Sequence, residues 1–272
     1  MTHPLIKVDL MIPPRSKNVT YDSDNMALYF QNHRRCWAEF YPSERWVFER
    51  VGAERGSFGR VLDVGCALGG LAFALSERFR VEGYTGVDIN RRAIERAKVN
   101  VSSLPLATEF IAADICECPQ LAGQQFDLVT ALSVVDWNAD ATGILAACWD
   151  RVAPGGHLVV SLRLSPGPTI CDVEKSYQVI WGRAGDPPAN AERAQYTILN
   201  TADAIQMMLA CTPMPAHLLA YGYWGKPSET AHTPCRRIVF TVFALQKPMK
   251  FETIDEPTIE AHLPASTFLA TP

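Results

Sequence analysis

No stretch of about eighteen consecutive apolar residues occurs in the 272-residue chain, so no membrane-spanning helix is expected. Positive charge is not in excess: 25 Lys and Arg stand against 29 Asp and Glu, for a net charge of −4. That balance argues against a nucleic-acid partner, whose phosphates need a basic field. The arginine pairs Arg34-Arg35 and Arg236-Arg237 read as solvated surface charge, and Arg91-Arg92 as the start of a helix. The eight cysteines lack framework spacing. Cys116-x-Cys118 is their only close pair, and no second pair or histidine partner completes a zinc site, so no metal is expected. Met1-Thr2-His3-Pro4 does not open a basic segment followed by a long apolar one, which points to a cytoplasmic protein. The dinucleotide signature G-x-G-x-x-G is missing, and so is any internal repeat. What remains is an ordinary globular composition, 48% hydrophobic and 20% charged.

The most informative segment is Val61-Leu62-Asp63-Val64-Gly65-Cys66-Ala67-Leu68-Gly69-Gly70. An apolar β-branched run predicts a buried parallel strand. It enters a glycine-rich turn, and Leu71 to Leu75 continues as a helix. Glycine lets the backbone turn sharply and approach a ligand, and the helix start offers unpaired N–H groups to an anion. Asp63, at the strand end, is suited to hold a cationic amine, directly or through water. Acid and N–H donors side by side suit a zwitterionic amino-acid group better than a pyrophosphate.

Further strands follow. Tyr84 to Asp88 ends in an acid, which can accept hydrogen bonds from two ribose hydroxyls. Asn90 then caps a helix from Arg91 to Val99. Glu109 to Ile115 is a third strand, with Asp114 at its end. Phe126 to Leu132 is a fourth, leading into Ser133-Val134-Val135-Asp136-Trp137. Pro154-Gly155-Gly156 turns into a fifth, ending near Arg163.

The Asp-x-Gly-x-x-x-Gly-Gly turn resembles motif I of the class I S-adenosylmethionine-dependent methyltransferases. The four strand-end signals between residues 57 and 165 follow that family's order and spacing. The resemblance implies a doubly wound α/β fold with a mostly parallel seven-stranded sheet and an antiparallel last strand. His217 to Tyr223 and Arg237 to Leu245 fit its terminal antiparallel pair. It further implies S-adenosyl-L-methionine as cofactor, held by Asp63, Gly65, Cys66, Ala67, Gly69, Gly70, Asp88, Ile89, Asn90, Asp114, Ile115 and Ser133. Asp114 is expected to receive the adenine amino group, with its apolar neighbour Ile115 on the ring. Cys66 also reads simply as a small residue that fits the loop.

Three divisions are expected: an N-terminal arm and aromatic helical cap over residues 1–52, a catalytic domain over 53–247, and a C-terminal tail over 248–272. Eight of the 26 aromatic side chains fall between Tyr21 and Phe48. They read as packing for helices over Asp24–Phe40 and Ser43–Val51, the second ending at Gly52, or as a wall for a substrate. Tyr29 and His33 in this cap, with Trp137 and Arg163, are the candidate substrate contacts. Asp22 and Asp24 lie in the same segment. Residues 164–197 are too long for a plain connection and read as an insertion over the strand ends, with Tyr177, Trp181, Arg183, Arg193 and Tyr196 available to a substrate.

Asp136 is the candidate general base; its alternative role is a helix cap. Asn-Pro-Pro-Tyr, which marks adenine amino methylation, is absent. The expected reaction is metal-independent methylation of a small molecule, with a hydroxyl acceptor favoured over an amine. The alternatives are a non-catalytic binding protein that keeps the fold, and methylation of a protein or RNA.

Overall fold

The computed structural model describes residues 34–180 and 191–269. The first half alternates strand and helix: α1 (Pro42–Arg55), β1 (Phe58–Val64), α2 (Gly70–Arg78), β2 (Val81–Asp88), α3 (Arg91–Val101), β3 (Ala107–Ala112), β4 (Phe126–Ala131), α4 (Ala141–Asp150) and β5 (Val152–Ser165). The second half holds β6 (Tyr177–Ile180), β7 (Glu192–Gln195), β8 (Leu199–Asn200), α5 (Thr201–Leu209), β9 (His217–Gly225), β10 (Ala231–His232), β11 (Ile238–Gln246) and β12 (Thr258–His262).

The main sheet runs β12-β9-β11-β5-β4-β1-β2-β3. β3, β2, β1, β4 and β5 are parallel, and the strand order reverses between β1 and β4. In a doubly wound sheet that reversal opens a crevice at the strand C-termini, the usual place for a ligand. β11 lies antiparallel between β5 and β9, as the sequence pattern predicts. Buried residues of α1, α2 and α3 cover one face of the sheet; α4 and α5 cover the other.

The helices form for local reasons. Asn90 caps α3 by accepting from the Ala93 amide at 3.0 Å, and Ala93, Ile94, Ala97 and Val101 bury at helical spacing. Pro42 stands at the first turn of α1, where its missing N–H costs nothing, and Glu44 accepts the Tyr41 amide at 2.9 Å.

Four expectations change. The sheet has nine strands rather than seven, because β8 pairs with the end of β5 and β12 adds to β9. The C-terminal tail therefore carries an edge strand. Its backbone pairs with the open side of β9, while Glu260 meets Arg50 and His262 packs 4.9 Å from Trp46. Helix α1 runs past Gly52 to Arg55 and stops at Gly56, whose φ of 72° is the left-handed value that ends helices. Gly52 is buried inside the helix, where a Cβ would collide with the Phe79 ring. Finally, of the expected helix over Asp24–Phe40 the described part is only a single 3-10 turn, Trp37–Glu39. Arg34, with φ of 60°, breaks any helix there.

The insertion after β5 supplies β6 and β7, which join β10 from the β9–β11 connection in a small antiparallel sheet, β10-β6-β7. No helix among the described residues is long and apolar enough to cross a membrane.

Phe79 is wedged against Trp37 and Phe58, at ring distances of 5.6 and 4.7 Å, so it has little room to yield. Overpacking costs about 1–3 kcal/mol and removing a helical glycine returns up to about 1. Gly52→Ala is expected to lower stability by roughly 1 kcal/mol, read as a lower urea midpoint at unchanged m-value.

Candidate active site

β1 ends where the chain must reverse onto α2. Gly65 and Gly69 take φ of 71° and 78° there. The Gly65 and Cys66 amides both donate to the Val87 carbonyl, at 2.8 and 3.1 Å, tying the turn to β2. A Cβ on Gly65 would strike Val134, and one on Gly70 would strike the Arg34 carbonyl oxygen. The turn is thus enclosed by the loop after β4 on one side and by the N-terminal segment on the other. Ala67 also has a left-handed backbone, φ 46°, which a side chain adopts only under constraint. The constraint is Asp88, whose Oδ2 accepts the Ala67 amide at 2.9 Å.

Asp88 accepts the Asn90 amide through Oδ1 at 2.8 Å. Burial raises this carboxyl above the ordinary range, and the two amides oppose the rise. Each oxygen carries one amide bond and keeps capacity for another, which fits a pair of vicinal hydroxyls. Asp63 is arranged differently. Its oxygens accept the Tyr84 hydroxyl at 2.5 Å and the Thr130 hydroxyl at 2.7 Å, and it is 4% exposed. Burial pushes its carboxyl up to about 6. Asp63 stands behind the turn as a pin joining β1, β2 and β4, and a direct ion pair with a ligand amine has little room.

Asp114 follows β3 and accepts the Cys116 amide at 2.9 Å to start a 3-10 turn. Ile115 is only 4% exposed and packs in the core, so it does not present a surface to a ring as expected. Ile89, 42% exposed beside Asp88, is the apolar side chain available on that edge. Asn90 spends its side-chain oxygen on the α3 cap. Cys66 is buried, and burial pushes its thiol up, which suits a packing role.

The loop after β4 begins at Ser133, whose φ of 56° is again left-handed and whose amide donates to Ser161 Oγ at 2.6 Å. A 3-10 turn over Val135–Trp137 follows. Asp136 is not the cap of α4; Asp140 is, accepting the Gly143 amide at 2.8 Å. Asp136 is 3% exposed and Arg163 4%. The Arg163 Nε lies 2.7 Å from Asp136 Oδ2, and its Nη2 donates to the Asp136 carbonyl at 2.6 Å. Burial raises the Asp136 carboxyl, and Arg163 opposes that rise. The guanidinium is sandwiched 4.3 Å from the Trp137 ring and 3.6 Å from that of Tyr196. Arg163 is therefore not an exposed anion receptor, and Asp136 is not a free base. They form a buried ion pair that locks the β4 loop to the insertion, reinforced by the Thr197 amide on the Asp136 carbonyl.

Sequence reasoning missed Thr130, Ser161 and Arg34. Ser161 had a usable signal: two residues from Arg163 on one strand, it must share its face. Arg34 had none, since a tight pair of arginines reads as solvated surface charge. Tyr29, His33, Asp22, Asp24, Trp181 and Arg183 lie outside the described residues. Among the described residues no three His, Cys, Asp or Glu side chains cluster as a metal site requires.

Two outcomes test these assignments. Asp63 is held near 6 against an ordinary 3.8, so it favours the folded state when protonated. Its contribution is complete below about pH 4 and is lost as pH rises through about 6. At 1.36 kcal/mol per pKa unit the change is on the order of 3 kcal/mol. Urea unfolding between pH 4 and 7 should show a shallower fall in stability in Asp63→Asn than in the parent, because the raised Asp88 and Asp136 carboxyls keep their own share of it. Arg163→Met strands a buried carboxylate and should destabilise the fold by about 3–5 kcal/mol, read by the same method.

Known proteins bear on the same segment. Residues 61–156 match the family model for a methyltransferase domain. A ubiquinone biosynthesis O-methyltransferase of Vibrio atlanticus is 33% identical over 119 residues, 43% of this chain and 47% of the relative. The enzyme of that name from Citrobacter koseri is 31% identical over 159 residues, 55% of this chain and 63% of the relative. The chain thus spans 47% to 63% of the length of these two curated relatives. The crystal structure of the N-terminal domain of EvdMO1, with SAH bound, superposes with a TM-score of 0.53 over 76% of this chain and 81% of that one; at 12% identity the likeness is one of fold. The glycine turn, the strand order and the matched family model agree: residues 61–156 are similar to a methyltransferase domain, on a doubly wound fold that the SAH-bound neighbour shares.

Proposed function

We propose that the protein transfers the methyl group of S-adenosyl-L-methionine to a hydroxyl of a small molecule. The observation that carries this reading is the clamped turn, in which Asp88 holds the left-handed Ala67 amide and the Asn90 amide while both its oxygens keep acceptor capacity. That arrangement fits the ribose hydroxyls of an adenosyl ligand. Asp114, partly exposed at the next strand end, fits an adenine amino group, and Ile89 offers an apolar surface to the ring. A hydroxyl acceptor is supported by the O-methyltransferase names of the curated relatives. A small acceptor rather than RNA is supported by the net charge of −4.

When bound, the cofactor supplies a methyl group already activated by its sulfonium. The work left to the protein is alignment and exclusion of water, which is worth about 7–11 kcal/mol for well-oriented reactants. Gly65, with no side chain in the way, lets Val134 close on the turn. Ser133, held by Ser161, and Trp137, held by Arg163, form the wall on the β4 side, where the acceptor would lie. Asp136, tied up by Arg163, positions that wall rather than removing a proton.

The ion-paired Asp136 also favours a second reading, binding of the cofactor without turnover. Calorimetry and transfer assays separate the two. Binding of S-adenosylmethionine with methyl label passing into a small hydroxylated acceptor supports the enzyme. Binding without transfer to any panel of small molecules, proteins or RNA supports the second reading, and no binding at millimolar concentration removes both. Asp88→Ala is expected to weaken cofactor affinity by about 1–3 kcal/mol, the scale for bonds to a charged group. Unchanged affinity would take Asp88 out of the site.

A further inference from the structure

β12 closes the main sheet at one end, and among the described residues nothing pairs with its outer side. Its residues are exposed apart from the half-buried Glu260. An open strand edge is a row of unpaired N–H and C=O groups, ready to pair with another chain unless charge, proline or a bulge blocks it. Pro257 and Pro264 bracket this strand, and between them stand Thr258-Ile259-Glu260-Ala261-His262-Leu263, with no proline and no lysine. The strand is firmly placed. Glu260 meets Arg50 at 3.1 Å and His262 packs 4.9 Å from the Trp46 ring on the α1 face, while Leu263 packs over Gly222 on the other face. The Thr258 amide donates to the Ala216 carbonyl at 3.0 Å. Main-chain groups alternate in direction along a strand. Thr258, Glu260 and His262 therefore aim theirs at β9, and Ile259, Ala261 and then Leu263 aim theirs outward.

We propose that this edge docks a second copy of the chain, β12 against β12 in antiparallel register, about a two-fold axis at Ala261. Only a register that sets outward-facing residues opposite one another can form main-chain bonds across the new seam. An axis at Ile259 would place Ala261 opposite Pro257, which has no N–H. An axis at Leu263 would place Ala261 opposite Ala265, where the chain has already entered a 3-10 turn. With the axis at Ala261, the two Ala261 residues exchange main-chain bonds, and Ile259 pairs with Leu263 of the second copy on both sides. The charges select the same register. It sets Glu260 opposite His262 of the second copy, reciprocally, in the non-hydrogen-bonded positions where facing side chains come closest. Within one chain these two side chains already meet at 2.7 Å, so carboxylate and imidazole are compatible neighbours on this face. On the other face Ile259, 47% exposed, gains apolar cover from Leu263 of the second copy. An isologous interface needs this kind of self-complementarity. β3, at the opposite end of the sheet, carries Glu109 as its only charge and offers no reciprocal partner.

The test reads oligomeric state by sedimentation equilibrium on the full chain, with circular dichroism as the check on folding. The parent should be a reversible dimer in the micromolar range. Ala261→Pro removes an outward N–H that β9 does not use, and should leave a folded monomer. His262→Glu sets carboxylates opposite one another, and Glu260→Lys sets a cation opposite an imidazole. Each alone should weaken dimerisation by about tenfold or more. Mixed in equal amounts, these two variants present Glu260 to His262 and the introduced acid to the introduced amine, so a heterodimer should form with close to the parent affinity. Loss through misfolding would not be recovered by mixing. A parent that stays monomeric up to millimolar concentration overturns the proposal. So does a dimer that Ala261→Pro and His262→Glu leave intact, since it would use another surface, and so does a mixture that recovers nothing. Where Ala261→Pro or Glu260→Lys fails to fold, the parent and His262→Glu decide: equal dimer affinity overturns the proposal, and weakening in His262→Glu supports it.

Discussion

One carboxylate organises the C-terminal edge of the parallel strands. Asp88, at the end of β2, accepts an amide from the turn after β1 and another from the start of α3. The Ala67 amide it holds belongs to a residue in a left-handed backbone that would relax if released. The Val87 carbonyl, one residue earlier, takes the Gly65 and Cys66 amides. The end of β2 therefore shapes the turn that β1 supplies. Asp63 reinforces this from behind through Tyr84 and Thr130, joining β2 and β4 to β1. A turn whose glycines would otherwise keep much of their conformational freedom is thus set by the fold itself.

A second constraint acts on the other side. The Asp136–Arg163 pair is nearly sealed from water, so its two charges are tolerable only together. Arg163 reaches its partners from the end of β5, Trp137 comes from the β4 loop, and Tyr196 from the insertion. Three chain segments distant in sequence are held by one guanidinium. The left-handed Ser133, bonded to Ser161 on the same β5 strand, sets the near end of that loop. Two clamps, one on β2 and one on β5, thus flank β1 and β4, where the strand order reverses. The N-terminal segment closes the remaining side through Arg34 over Gly70.

Much of the fold was legible because its signals are local. Strand ends with an acid or glycine, a helix cap at Asn90 and the terminal pair of strands can each be read within ten residues. The misreadings share a cause. Gly52 looks like a helix end, yet its missing side chain serves the Phe79 ring, a neighbour 27 positions away. Ile115 looks like a ring-packing residue, yet the turn started by Asp114 points it into the core. The tail beyond residue 248, rich in proline, gives no strand signal; β12 forms because β9 leaves an open edge.

The chain by itself determined the alternation of elements, the glycine turn and the acids that end β1, β2 and the segment after β3, because propensity, periodicity and spacing act over short distances. Only the tertiary structure decided what each charge does. Asp63, Asp88 and Asp136 are the same residue type at similar strand-end positions. Burial and partner separate them into a pin, a clamp and half of an ion pair. Those partners, Thr130, Ala67 and Arg163, are brought near only when the sheet assembles, and the energy of a charge depends on what surrounds it in space rather than along the chain.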